Sequence, residues 1–259
     1  MPKKSCVHYW QIETASGPIS KGRCQKCNKV GKFENSITMN FAESPADVTA
    51  FGDTDMTYVQ GKPGFTFDVS GLWSTASPNY DGEMFTDLTA SARRVGIYPA
   101  GIETGSVGYE GPTIISASPR VSTVGDVIAC NVTWQGADSP FRSTILRYAT
   151  DSSSANGTQY TLGTIANTNT IIGVLRLIEI GGSGNNTCNV KIQSDTSGFS
   201  SATDRLTFTE LNQASGATSQ VVTATGPAGS DNIWRVVVTI AGAGSRSFKI
   251  AVGFGYYVT

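Results

Sequence analysis

Asp126-Val127-Ile128-Ala129-Cys130-Asn131-Val132-Thr133-Trp134 alternates with a period of two. Val127, Ala129, Asn131 and Thr133 fall on one side, and Ile128, Cys130, Val132 and Trp134 on the other. Successive side chains of a strand point to opposite faces, so the pattern predicts an antiparallel strand with one buried face. Similar but shorter runs lie upstream at Thr57–Val59, Phe65–Val69, Val107–Tyr109 and Thr113–Ser116, separated by Gly, Pro, Asp or Asn. Downstream, strands are expected at Gln159–Ile165, Ile171–Ile180, Cys188–Ser194, Leu206–Leu211, Ser219–Thr225, Ile233–Ala241 and Ser247–Val258. Short strands at even spacing with turn residues between them predict an all-β protein, built as a β-sandwich or jelly roll. One helix is expected, over Tyr80–Arg94, where Met84, Phe85, Leu88 and Ala92 have helical spacing and Asp81 can cap the N-terminus.

The head of the chain follows a different logic. Cys6 and His8 are followed by Cys24 and Cys27, and His8 is the only histidine among 259 residues. Three thiolates and one imidazole complete a tetrahedral shell, so Cys6, His8, Cys24 and Cys27 are expected to hold a structural Zn2+. Trp10 and Ile12 alternate with polar residues, Gly17-Pro18 marks a turn, and Gly22 and Asn28 flank the second ligand pair. The pattern is that of a zinc ribbon, whose small core needs the metal to fold. Three sections are expected: a zinc ribbon over residues 1–38, a β domain over 39–143 and a C-terminal β-sandwich over 144–259, the last two possibly forming one continuous unit.

Charge divides along the same line. Residues 1–38 carry seven Lys and Arg against two acids, a net of +5, whereas residues 39–259 carry twelve against eighteen, a net of −6. The basic residues Lys21, Arg23, Lys26, Lys29 and Lys32 allow the head to meet phosphates. They suit a solvated metal module equally, without the interleaved aromatics of base recognition, and no nucleic-acid-binding residue is assigned. No apolar stretch approaches the ~20 residues of a spanning helix, and no signal-like region follows Met1-Pro2-Lys3-Lys4. Synthesis in a reducing cytosol, with no membrane partner, is therefore expected. Sequons at Asn131, Asn156 and Asn185 carry no weight in that setting.

Catalytic chemistry is sparse. With His8 committed to metal, no histidine is left as a general base, and a four-ligand shell leaves no open position for water. No nucleophile elbow, phosphate loop or dinucleotide fingerprint is present. The acid pairs Asp53/Asp55 and Asp81/Glu83 are ordinary exposed-loop composition. The chain is expected not to be an enzyme, and no catalytic residue is assigned.

The body resembles the major tail protein of long, non-contractile phage tails. The likeness rests on Asp47-Val48-Thr49-Ala50-Phe51-Gly52-Asp53 with Pro63-Gly64-Phe65-Thr66-Phe67-Asp68-Val69-Ser70-Gly71, and on Ile97-Tyr98-Pro99-Ala100-Gly101 and Gly125-Asp126-Val127. Further similar phrases are Val190–Asp195, Arg205–Phe208, Ile233–Val236 and Phe248–Gly253, so the likeness spans roughly residues 41–259. The resemblance implies a tail-tube-like β domain and subunits that form rings stacked into a tube. It also implies other phage tail proteins as partners, DNA passing through the lumen without specific binding, and a place in the virion tail after synthesis in the host bacterial cytoplasm. The N-terminal zinc ribbon departs from the family pattern. The alternative is a phage decoration or adhesion β-sandwich that binds carbohydrate or a host surface, with Trp73, Tyr80, Trp134 and Tyr160 as stacking platforms.

Overall fold

A computed structural model describes residues 10–12, 19–24, 30–34, 36–43, 46–50, 54–59, 63–72, 93–117, 120–121, 129–182, 184–212 and 218–257, with backbone alone for the residues up to 37 and for 43, 46, 63, 71–72, 120–121 and 129–130. Among these residues every regular element is a strand and every strand pairing is antiparallel. The all-β expectation therefore holds. The chain divides into two compact units, one of Met1–Val95 with Gly111–Pro140 and one of Gly96–Glu110 with Phe141–Thr259.

In chain order the strands begin with β1 (Trp10–Ile12), β2 (Ile19–Cys24), β3 (Val30–Glu34), β4 (Ser36–Glu43), β5 (Ala46–Asp47) and β6 (Tyr58–Val59). Next come β7 (Pro63–Leu72), β8 (Arg93–Ile97), β9 (Val107–Ala117), β10 (Arg120–Val121) and β11 (Ala129–Gly136). Then follow β12 (Phe141–Asp151), β13 (Ala155–Asn156), β14 (Tyr160–Thr161), β15 (Thr170–Gly182) and β16 (Thr187–Asp195). The last are β17 (Thr203–Thr207), β18 (Leu211–Asn212), β19 (Thr218–Thr225), β20 (Ile233–Ala241) and β21 (Arg246–Tyr257).

In the first unit β1, β2 and β3 form a small sheet with Trp10 opposite Cys24 and Lys21 opposite Lys32. A second sheet centres on β7, flanked by β4 and β11, and β11 also pairs with the C-terminal half of β9. The alternation read from residues 126–134 is met where side chains are described. Val132 and Trp134 are buried, while Asn131 and Thr133 are half-buried on the other side. Trp134 lies opposite Phe67, and Phe67 packs on Phe65 with ring centroids 5.0 Å apart. The expected helix over Tyr80–Arg94 lies outside the described residues up to position 92. Its last two residues, Arg93 and Arg94, are a correction: they open strand β8.

In the second unit two antiparallel sheets share one core. The first runs β19-β15-β21-β12 and on to the N-terminal half of β9; the second runs β13-β20-β16-β17, with β14 on β20 and β18 on β16. Leu146, Leu175, Phe248 and Phe254 of the first sheet pack with Val190, Ile192, Trp234 and Val236 of the second. Ile172 and Val174 point the other way and pack against Phe141 and Tyr257. Burial on both faces explains why Ile171–Leu175 is a near-continuous apolar run that shows no alternation.

Two differences from the sequence reading concern β9 and β12. Val107–Tyr109 and Thr113–Ser116, expected as separate runs, are one strand that passes through Gly111-Pro112. Pro112 falls between the residues that pair with β12 and those that pair with β11; its carbonyl accepts from Ala137 N–H at 2.8 Å, and it has no N–H to donate in return. Gly111 is required by packing, since a Cβ there would lie 2.4 Å from the Phe65 ring. Strand β12 runs unbroken across the expected section boundary at residues 143 and 144.

Candidate functional site

Most exposed apolar side chains among the described residues of the first unit lie between Phe41 and Val59, with Ile114 on β9 apart from them. After β4 the chain makes a two-stranded hairpin, β5 with β6, in which Ala46 faces Val59 and Asp47 faces Tyr58. Asp47 organises the turn: its carboxylate accepts from the Thr49 N–H at 2.9 Å and from Thr49 Oγ1 at 2.5 Å. Thr49 Oγ1 in turn accepts from Thr57 N–H at 2.9 Å, and Val48 N–H donates to the Thr57 carbonyl at 2.9 Å. These Thr49 bonds hold the Asp47 carboxyl below its ordinary value, because the charged form accepts both.

The hairpin is therefore ordered by polar bonds while its apolar side chains stay outside. Met56 is 73% exposed, Tyr58 56% and Val59 52%, with Phe41 and Val48 close behind. Leaving such side chains in water forgoes roughly 1.5–3 kcal/mol each relative to full burial. Tyr58 OH lies 3.2 Å from Met56 Sδ, which ties the two most exposed side chains together. Beside the hairpin in sequence, β4 pairs only with β7 among the described residues. In the second unit β19 likewise pairs only with β15, and its Ser219, Val221, Thr223 and Thr225 are exposed. An unpaired strand edge is a template for pairing with another chain.

The second unit also holds buried ionic groups. Glu110 is fully buried and accepts Arg176 Nη2 at 2.8 Å on Oε2 and Nη1 at 3.2 Å on Oε1. Tyr98 OH donates to Glu110 Oε1, Ser143 Oγ lies 3.2 Å from the same oxygen, and Tyr98 and Ser143 are 3.0 Å apart. Burial first, then the Glu110 charge, push the Tyr98 phenol well above its ordinary value, so it stays protonated as a donor. On the second sheet Asp231 accepts Arg205 Nη2 at 2.7 Å and the Ser194 hydroxyl, and Arg205 Nε donates to Ser194 Oγ at 2.8 Å. Burial raises the Asp231 carboxyl, but the Ser194 and Arg205 bonds outweigh it and the net shift is downward. Sequence reasoning missed both groups. Their members are far apart in the chain, and no local spacing marks them.

Cys188 is a free, buried thiol, and burial pushes it up to about 12, so it carries no thiolate chemistry at neutral pH.

Of the expected metal ligands, Cys24 ends β2, and Cys6, His8 and Cys27 lie outside the described residues. Among the described residues no group of His, Cys, Asp and Glu is placed to hold a metal ion. Of the basic head residues, Lys21 and Arg23 are on β2 and Lys32 is on β3, while Lys26 and Lys29 lie outside the described set. Asp55 is in an exposed bend, and Asp53, Asp81 and Glu83 lie outside the described residues. Among the aromatics considered as sugar platforms, Trp134 is buried, Tyr160 packs against the core of the second unit, and Trp73 and Tyr80 lie outside the described set. Among the described residues no helix is long and apolar enough to cross a membrane.

No protein-family profile matches the chain, and no curated protein matches it. Among solved structures the chain is similar to the Dit (gp 19.1) protein of phage SPP1, a hub adsorption apparatus protein of phages infecting Gram-positive hosts. The identity is 11% and the TM-score 0.30, over 86% of this chain and 92% of that one. It is also similar to a structure of infectious bursal disease virus, Gx strain, at 13% identity and a TM-score of 0.24, over 95% of this chain and 69% of that one. At these TM-scores neither likeness carries weight for fold or function.

Proposed function

We propose that the chain is a non-enzymatic structural subunit of a phage tail, which self-assembles into rings that stack as a tail tube. The observation that carries this reading is the hairpin at residues 46–59, a polar-bonded turn that keeps Met56, Tyr58 and Val59 largely in water. A second copy that covered these side chains would recover their burial, and the edges of β4 and β19 that are unpaired among the described residues offer places for strand addition. Heterologous contacts close into a ring or continue as a filament according to the rotation between copies. The tail-protein resemblance of residues 47–53 and 63–71 falls on and directly after this hairpin.

In this reading the subunit is a virion component, partnered by further copies of itself and by other phage tail proteins. It is made in the host bacterial cytoplasm without a membrane stage. The acidic body, with a net of −6 over residues 39–259, suits a conduit through which DNA slides unbound, since basic linings hold phosphates. The head is a zinc ribbon held by Cys6, His8, Cys24 and Cys27, in which Zn2+ acts as a structural staple. The adhesion alternative loses two of its four stacking platforms, because Trp134 and Tyr160 are packed inward.

Negative-stain microscopy of the purified full chain tests the proposal. Rings or tubes with a central channel are expected for the wild type, and dispersed particles for Met56→Lys with Tyr58→Lys at an unchanged circular dichroism spectrum. A wild-type protein that stays monomeric or trimeric at concentrations well above micromolar overturns it in favour of a binding module.

A further inference from the structure

The second unit contains a cleft of about 240 Å3 that no part of the assembly reading uses. Its walls come from the ladder of β12 with β21 and from the connection after β14. Register places Thr144 opposite Phe254, and Arg142 and Tyr256 lie two residues further along the same face. Leu162 and Ile165 line it from the connection, which is anchored by Leu162 N–H donating to the Asn232 carbonyl at 3.0 Å.

The chemistry of the lining is asymmetric. Ile165 and Phe254 are buried and Leu162 is half-buried, so the floor is apolar. The Phe254 ring is backed by Trp234 with centroids 4.5 Å apart, which fixes it as a rigid wall. Arg142 is the only charged residue of the lining; it is exposed and makes no ion pair among the described residues. The Thr144 hydroxyl, also without a hydrogen bond among the described residues, is a second donor beside it. A guanidinium keeps its charge at any ordinary pH and presents a planar fork that fits a carboxylate.

We infer that this cleft binds a small carboxylate attached to an apolar body, the acid on Arg142 and Thr144 and the body against Leu162, Ile165 and Phe254. The size sets the class. A dry cavity of roughly 150 Å3 takes benzene, and drug-sized ligands need roughly 300 Å3 or more. The cleft falls between the two and suits an acid of benzoate size. Binding by a ligand this small is weak, in the millimolar range, but the paired strands hold both halves of the site in place before the ligand arrives.

The test uses sodium benzoate with the full-length protein and saturation-transfer NMR, which reads a bound small molecule whether or not the protein is assembled. Saturable transfer to the benzoate ring protons is expected, with benzamide binding about tenfold more weakly because it lacks the charge. Arg142→Gln, an exposed position, is expected to leave the melting temperature unchanged and lower benzoate affinity by about tenfold, with benzamide unaffected. Thr144→Val, a change of similar volume, is expected to weaken benzoate by a smaller factor. No saturable transfer, equal affinity for benzoate and benzamide, or undiminished binding by Arg142→Gln overturns the proposal.

Discussion

Arg176 holds the fully buried Glu110 by two nitrogens, Nη2 at 2.8 Å from Oε2 and Nη1 at 3.2 Å from Oε1. The pair is unequal, because the arginine side chain keeps a quarter of its surface in water and the glutamate none. Arg176→Leu therefore strands a carboxylate with only Tyr98 and Ser143 as partners. It is expected to lower the stability of the second unit by ~3–5 kcal/mol, the range for breaking a buried pair from one side. Replacing both residues by leucine is expected to cost much less than the two single changes added together. Urea unfolding of the two singles and the double, read as a mutant cycle, checks this.

Room for that group is made by a glycine. A Cβ on Gly253 would lie 2.4 Å from Glu110 Oε1 and 2.8 Å from Ser143 Oγ. Gly253→Ala is expected to destabilise by ~1–3 kcal/mol through overpacking. In the first unit Gly111 and Gly136 stand in the same relation to Phe65, with added Cβ atoms at 2.4 Å and 2.5 Å from its ring. Alanine at either position is expected to cost a similar ~1–3 kcal/mol there. Combining Gly111→Ala with Phe65→Leu should recover part of the loss, which thermal unfolding can measure.

Acid is expected to weaken the second unit. Asp231 is lowered, the Ser194 and Arg205 bonds outweighing burial, and Asp204 is lowered by its Lys191 and Gln193 bonds. A carboxyl lowered in the folded state contributes stability above its unfolded value near 3.8, lost as pH falls through the folded value. Urea midpoints taken from pH 7 down to about pH 2.5 should fall steeply below about pH 4. Asp231→Asn should start lower at neutral pH and show a shallower fall. Tyr98 has the opposite dependence: its raised phenol favours the protonated form, so stability is lost as pH climbs above the ordinary tyrosine value of 10. Tyr98→Phe should flatten that alkaline limb.

The zinc expectation is tested directly on the head. Metal analysis of freshly purified protein is expected to find about one zinc per chain, as a four-ligand structural site requires. Cys24→Ser, or a strong chelator, is expected to unfold the head while the β body keeps its cooperative transition, since metal binding is the folding free energy of so small a module. Limited proteolysis confined to residues 1–38 would report that outcome, and loss of the whole fold would contradict it.

Much of the second unit is legible in the chain itself. Strand β20 has the bounds read from its sequence, and β15, β16, β19 and β21 differ by only one or two residues at their ends. These strands alternate or run apolar over many residues, so a period of two stands out. Where the run is short the reading fails. Gln159–Ile165 shrinks to Tyr160–Thr161, because Leu162 turns to pack against the core and Gly163 takes a positive φ of 79°. Strand β12 escapes the reading because Arg142, Thr144 and Arg147 interrupt its apolar residues, and because it lies across the expected section boundary.

The sequence by itself determined the strand-forming periods, the split between a basic head and an acidic body, and the removal of histidine from everything except residue 8. These are local or compositional properties that each residue carries wherever the chain goes. Tertiary structure alone decided that Glu110 meets Arg176, that Gly253 leaves space for the glutamate and Ser143, and that the 46–59 hairpin keeps its apolar side chains in water. The reason is physical. A period of two says which side of a strand is apolar, but not which strand lies beside it, and the ladder bonds are the same for any partner. Partnership is chosen by packing between residues tens of positions apart, and that choice is what brings a buried acid to its arginine.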